Sequence, residues 1–225
     1  MQTQIHFSPA FAVALVHLQP GEIVRSEGGA MVSMNDAVEI KTDTQGGLMR
    51  GLKRSVLGGE SFFMNTFSAT GPGAQVSFAP ALPGDIVEWN LTGQTVYLQS
   101  GSFLASSDGI DVDSKWGGAK TFFSREGLFM LKVQGTGSVL VSSYGAIQPI
   151  DLGPGETYTV DTGHMVGWSE GVTYEVKKIG GWKSTLLSGE GLVVRLTGPG
   201  RIYLQTRSPE SFLAWLVPKL PTKSS

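Results

Sequence analysis

The chain has 225 residues, 31 glycines, 11 prolines, no cysteine and a formal net charge of −2. Glycine is about twice as frequent as in an average globular protein, and charged residues, at 16%, fall well below the usual quarter. These figures exclude a disulfide framework, thiolate nucleophiles, thiolate metal sites and a basic face broad enough to hold nucleic acid.

The glycines follow no period of three, so the chain is not collagenous. Its hydrophobic residues, 40% of the total and spread along the whole length, argue against wholesale disorder. The stretch up to Glu22 lacks a basic segment, and the apolar run from Ala10 to Val16 is too short to span a membrane. A cytoplasmic protein is expected.

Four elements then follow in order. Pro20-Gly21-Glu22 comes shortly after Leu18 and leads into strand-forming residues. Proline presets a φ near about −65° and glycine supplies the positive φ of a type II turn. Gly29-Ala30-Met31-Val32 is the second element. Glu60, ahead of Ser61-Phe62-Phe63-Met64, is the third. The turn Thr70-Gly71-Pro72-Gly73 is the fourth, and it opens the strand Gln75-Val76-Ser77-Phe78.

The set returns as Pro83-Gly84-Asp85, Gly101-Ser102-Phe103-Leu104, Glu126-Gly127-Leu128-Phe129-Met130 and Gly135-Thr136-Gly137. It returns again as Pro154-Gly155-Glu156, Gly163-His164-Met165-Val166, Glu190-Gly191-Leu192-Val193-Val194 and Thr197-Gly198-Pro199-Gly200. This order predicts three tandem β units near residues 1–79, 80–149 and 150–208, each sandwich-like or barrel-like, in a pseudo-threefold arrangement. In the middle unit the first two elements stand further apart, which predicts an inserted hairpin arm around Glu88 to Val96. No segment of helical period separates the strands, so the fold class is all-β.

One helix is predicted in the last segment, 209–225. Ser208 suits the N-cap, Pro209 the first helical position and Glu210 the positive end of the dipole. Phe212, Leu213, Trp215, Leu216 and Val217 form its apolar face, and Pro218 stops it. That face is read either as a lid over the last unit or as a contact for a partner or a membrane surface.

Recognisable catalytic sets are missing. His6, His17 and His164 show no H-x-x-x-H spacing, and His164 is matched by Ala30 and Ser102 in the other two units. No nucleophile elbow, phosphate loop or dinucleotide fingerprint occurs. The glycine turns 70–73 and 197–200 lie between strands, where hairpin chemistry explains them. Asp108, Asp111 and Asp113 lack the pattern of a calcium loop; Asp111 and Asp113 are read as the wet face of a strand alternating with Ile110 and Val112. Glu60, Glu126 and Glu190 occupy matching positions, as strand-entry acceptors or as a ring around a threefold axis. No catalytic residue, cofactor or metal site is expected.

Trp89, Trp116, Trp168, Trp182 and Tyr158 lie near turns, and Trp215 lies on the helix. Turn-borne tryptophans mark interfaces or plug the ends of units. The five tryptophans are the candidate interaction residues.

Taken together, several runs carry a resemblance over about residues 8–217. They include Gly29-Ala30-Met31-Val32-Ser33-Met34, Leu57-Gly58-Gly59-Glu60-Ser61-Phe62-Phe63, Leu82-Pro83-Gly84-Asp85-Ile86, Gly101-Ser102-Phe103-Leu104-Ala105-Ser106, Ser142-Ser143-Tyr144-Gly145-Ala146 and Asp161-Thr162-Gly163-His164. They resemble the altered-inheritance-of-mitochondria family, AIM-twenty-four type. The resemblance implies an all-β fold of repeated units related to the tryptophan RNA-binding attenuation protein, assembly as a homotrimer and no assigned catalytic residues. Mitochondrial members are linked to inner-membrane organisation and respiratory assembly.

Two functional readings follow. One is a non-catalytic oligomeric scaffold with an unidentified protein partner, at a membrane periphery or in the cytoplasm. The other is a small-ligand or RNA-binding ring protein, although the near-neutral charge speaks against nucleic acid.

Overall fold

The structure is a computed structural model and describes residues 1–42, 56–57, 60–61, 64–114, 129–178 and 192–221. The first strands are β1 (Gln2–His6), β2 (Val13–Leu18), β3 (Ile23–Glu27), β4 (Met31–Met34) and β5 (Val38–Thr42). Two short strands, β6 (Val56–Leu57) and β7 (Glu60–Ser61), pair with each other, and β8 (Met64–Ala69) and β9 (Ala74–Phe78) follow. The middle holds β10 (Ile86–Gln99), β11 (Phe103–Ser107), β12 (Ile110–Asp113) and β13 (Met130–Ser142). The last strands are β14 (Ile147–Leu152), β15 (Thr157–Asp161), β16 (Met165–Ser169), β17 (Thr173–Lys178), β18 (Leu192–Thr197) and β19 (Gly200–Gln205), before the helix α1 (Pro209–Leu216).

The fold is all-β with one short C-terminal helix. Among the described residues several sheets form and none closes into a barrel, so the barrel-like alternative for the units is not met there. A four-stranded sheet runs β1-β2-β9-β4 and a three-stranded sheet runs β15-β18-β17. The longest path runs β14-β19-β16-β10-β13-β11-β3-β8-β5, with β12 on β13.

Strand formation follows the period-two pattern. Ala14, Val16 and Leu18 turn inward from β2 while the residues between them stay half-exposed. On β12, Ile110 and Val112 are buried and Asp111 faces water, as the alternation predicts. Among the described residues three apolar clusters result, and they do not respect the unit boundaries. The first takes Leu104 and Leu140 along with residues of β2, β3, β8 and β9. The second, centred on β10 and β13, includes Val166. The third surrounds Trp168.

The centre of the chain departs from the sequence reading. Pro20-Gly21-Glu22 joins β2 to β3 and Pro154-Gly155-Glu156 joins β14 to β15, but Pro83-Gly84-Asp85 joins no such pair. It lies ahead of β10, where Gly84 bridges Gly145. Asp85 N–H donates to the Gly145 carbonyl at 3.0 Å, and Gly145 N–H donates to the Pro83 carbonyl at 3.0 Å. No inserted arm stands at Glu88 to Val96, because those residues lie inside the unbroken β10. Gly135-Thr136-Gly137 closes no hairpin either and sits within β13.

There β10 and β13 bend together. Their register shifts between Thr92 and Thr95, and Gly93, Gly135 and Gly137 take positive φ values of 110°, 129° and 146°. A Cβ on Gly135 would lie 2.2 Å from the Gly109 carbonyl oxygen, so glycine is required by space as well as by conformation.

The helix forms as its cap predicts. Ser208 Oγ accepts from Ser211 N–H at 3.3 Å, Pro209 opens the first turn, and the helix ends at Leu216 before a 3-10 turn that contains Pro218.

Gly84 provides a test of the central docking contact. A Cβ there would lie 1.7 Å from the Ser143 carbonyl oxygen, whereas one on Gly21 meets open space and only a strained φ of +84°. Gly84→Ala is expected to cost about 3 kcal/mol, the upper end for overpacking, and Gly21→Ala about 1 kcal/mol. Chemical denaturation of both variants checks the order, which an equal loss would contradict.

Candidate functional site

The described tryptophans separate into three environments. Trp168 is 1% exposed and belongs to the core, with ring centroids 5.7 Å from Tyr97 and 5.2 Å from Tyr174. Its place beside the Glu170-Gly171 turn fits either a partner contact or an end plug. It lies in the cluster that joins Val160 and Val194 of the three-stranded sheet to Ile202 of β19. Trp168 therefore presents nothing to a partner of the folded chain. Trp116 and Trp182 lie outside the described residues, as do Glu126 and Glu190; of Glu60 only the strand position in β7 is described.

Trp89 is half-buried and its ring centroid lies 4.2 Å from that of Tyr203. The pair forms one wall of an open cleft of about 580 Å³, whose other lining includes Asn90, Gln94, Glu170 and Gly171. The bend of β10 supplies Asn90 and Gln94, β19 supplies Tyr203, and the β16–β17 turn supplies Glu170. Sequence reasoning misses Tyr203, because only strand order brings it to Trp89.

The polar groups of the cleft are largely committed to the backbone. Glu170 Oε2 accepts from Thr95 N–H at 3.3 Å, and Gln94 Oε1 accepts from Thr92 N–H. Burial pushes the Tyr203 hydroxyl above the ordinary tyrosine range, opposed by the neighbouring Arg201. Arg201 is held by Asp151 across β14 and β19, Nε to Oδ1 at 2.6 Å and Nη2 to Oδ2 at 2.8 Å. That bond holds the Asp151 carboxyl below the usual carboxylate range. An aromatic wall with a few amide and carboxylate groups suits stacking of a planar or ring-shaped ligand.

Trp215 is 58% exposed on α1. It stacks on Phe212, whose ring meets Tyr144 edge-on, and Lys219 Nζ lies 5.0 Å from its centroid. Leu213, Val217 and Leu220 are more than half exposed and no helix residue is buried. The helix is thus held through Phe212 and its cap, with much of its apolar surface facing water.

The remaining candidates are structural. His164 Nδ1–H donates to the Gln205 carbonyl at 2.8 Å, and Asp161 accepts from Gly163 N–H at 2.8 Å rather than pairing with that imidazole. Asp108 pairs with Arg25. Among the described residues no group of three or more His, Asp or Glu has the arrangement to hold a metal ion. No helix among them is long and apolar enough to cross a membrane.

An open, multi-sheet β fold with an aromatic cleft and no metal cluster among its described residues defines a class in which surfaces are the prominent feature. Comparison with known proteins gives the family. The family model Mitochondrial biogenesis AIM24 matches residues 3–207, and the chain belongs to that family. It is 31% identical, over 233 aligned positions, to an uncharacterized protein of Streptococcus pyogenes serotype M6, an alignment that covers all of this chain and 93% of the relative. A crystal structure of a Streptococcus pyogenes protein superposes with a TM-score of 0.80 at 29% identity, covering 97% of this chain and 99% of that one.

The two described strand tryptophans have separable roles. Trp168→Ala is expected to cost about 3–5 kcal/mol and Trp89→Ala about 1–2 kcal/mol, the value of a half-buried aromatic pair. Equilibrium unfolding of each variant measures the difference, and equal losses would contradict these placements.

Proposed function

We propose that this AIM24-family chain is a non-catalytic scaffold, built from three copies of one β module, that assembles with further copies of itself into a homotrimer. The pairing register is the observation that carries the modular part. Leu18 lies opposite Ala74, Leu91 opposite Gly137 and Leu152 opposite Gly200, and all three leucines are buried. Ile40 lies opposite Phe67, Val112 opposite Val133 and Tyr174 opposite Leu196.

The module turns fall at Gly21, Gly93 and Gly155, each at positive φ and each the same distance before Gly29, Gly101 and Gly163. Gly93 thus replaces Gly84 as the middle member. In this reading β10 is two module strands run together, and β13 is their continuous partner.

Modules joined edge to edge hold surfaces in fixed relation, which is the physical task of a scaffold. The exposed Leu213 and Trp215 on α1, with Val217 just after it, support a further contact, with a protein partner or a membrane surface. The Trp89–Tyr203 cleft favours a second reading, a binder of small ring-shaped ligands; its near-neutral charge gives RNA no electrostatic footing.

Size-exclusion chromatography with light scattering tests the scaffold reading. A trimer stable over a wide range of concentrations is expected, and a monomer throughout that range would contradict it.

A further inference from the structure

Two module junctions exist within the chain. At the first, β11 pairs antiparallel with β3: Ala105 lies opposite Ser26, Ser106 opposite Arg25 and Ser107 opposite Val24. At the second, β16 pairs antiparallel with β10: Gly167 lies opposite Leu98, Trp168 opposite Tyr97 and Ser169 opposite Val96. Counted from Gly29, Gly101 and Gly163 on one side and from Gly21, Gly93 and Gly155 on the other, the two registers are the same. The strands at matching places in the remaining modules are β4 and β15. Among the described residues β4 pairs only with β9, and β15 only with β18.

Resting on the three-module reading above, we propose that β4 of one copy pairs antiparallel with β15 of a second copy of this chain. Ser33 then lies opposite Val160, Met34 opposite Thr159 and Asn35 opposite Tyr158.

Burial supports this occupant independently of register. Leu104 and Val166 stand third after their glycines, are 1% and 0% exposed, and each fills the core of the preceding module. Val32 stands at the same place and is 57% exposed. The core it lacks is the one around Trp168, at the far end of another copy. On the complementary edge, Val24 and Val96 are 0% and 7% exposed while Tyr158, at their place in β15, is 41% exposed.

The chemistry of the edges agrees. Free strand edges are normally protected by charge or proline. β5 carries Glu39 and Lys41, β12 carries Asp111, β14 carries Pro149 and Asp151, and β17 carries Glu175 and Lys177. Met31 to Met34 on β4 carry none, and β15 carries only Asp161 at its end, beyond the stretch proposed to pair. Over that stretch these two edges lack the guard that β5, β12, β14 and β17 have, as does the edge strand β1. Their contact is heterologous, so copies linked this way add head to tail until the rotation closes a ring.

The native chain has no cysteine, which makes disulfide trapping specific. Residues directly opposite on antiparallel strands have Cα atoms about 4.5–5.5 Å apart, within disulfide reach. Met34→Cys and Thr159→Cys variants, each purified alone and then mixed under mild oxidation, are expected to give a covalent dimer of the two. Met34→Cys mixed with Tyr158→Cys, whose side chains face opposite ways, is expected to give several-fold less.

Val32→Asp is expected to lower the assembly state seen by light scattering while circular dichroism stays that of the folded chain. An assembled protein that shows no Met34–Thr159 trapping, or that traps Met34→Cys with itself, would overturn this edge pairing and leave the scaffold reading standing. A native chain that is monomeric throughout would overturn both. A Met34→Cys/Thr159→Cys double variant that closes within one chain would overturn the pairing between copies.

Discussion

Every strand carries a row of N–H and C=O groups along each side, and this fold is decided by where those rows find partners. The β10–β13 ladder is the decisive case. Both strands belong to the one long sheet and bend at one place, where Gly93, Gly135 and Gly137 adopt positive φ. The near contact of Gly109 with the 135–136 backbone leaves no room for a Cβ there. With that bend, β11 and β12 dock on the two halves of β13, while β16 docks on the far half of β10. The first two apolar clusters follow from those dockings, since each joined edge carries a neighbour's side chain, Leu104 or Val166, into a core.

Much of this was legible in the sequence, for physical reasons. The turns at Gly21 and Gly155 are announced by proline and a following acid, and Glu22 Oε2 and Glu156 Oε2 do accept the N–H groups of Gln19 and Gly153. The helix is announced by its cap. Ile110 and Val112 are announced by alternation. Pro83-Gly84-Asp85 misleads because it copies the look of the other two turns yet lies ahead of β10, while the irregular stretch Leu91-Thr92-Gly93-Gln94 inside β10 has no proline. Gly84 is glycine for closeness to Ser143, a tertiary cause that local sequence does not carry.

The site was less legible. Proximity to a turn says nothing about which face of a sheet a side chain takes, so Trp168 reads equally as an interface residue or an end plug until packing against the second sheet buries it. Trp89 gains its meaning from Tyr203, which arrives through β16 and β19 rather than through sequence spacing. Val32 is the opposite case. It looks like any strand valine, and only its buried counterparts Leu104 and Val166 make its exposure informative. Membership of the AIM24 family agrees with the all-β fold, and its relatives lend no chemistry to any one residue.

Matching edges take matching partners if β4 of one copy meets β15 of another. Hydrogen–deuterium exchange at the amides of residues 31–34 and 157–160, followed from high to low protein concentration, tests that most directly. Protection at both edges that is lost together on dilution is predicted, with the amides of β5 and β17 unaffected. Fast exchange at β4 and β15 at every concentration, no slower than at those guarded edges, would contradict it.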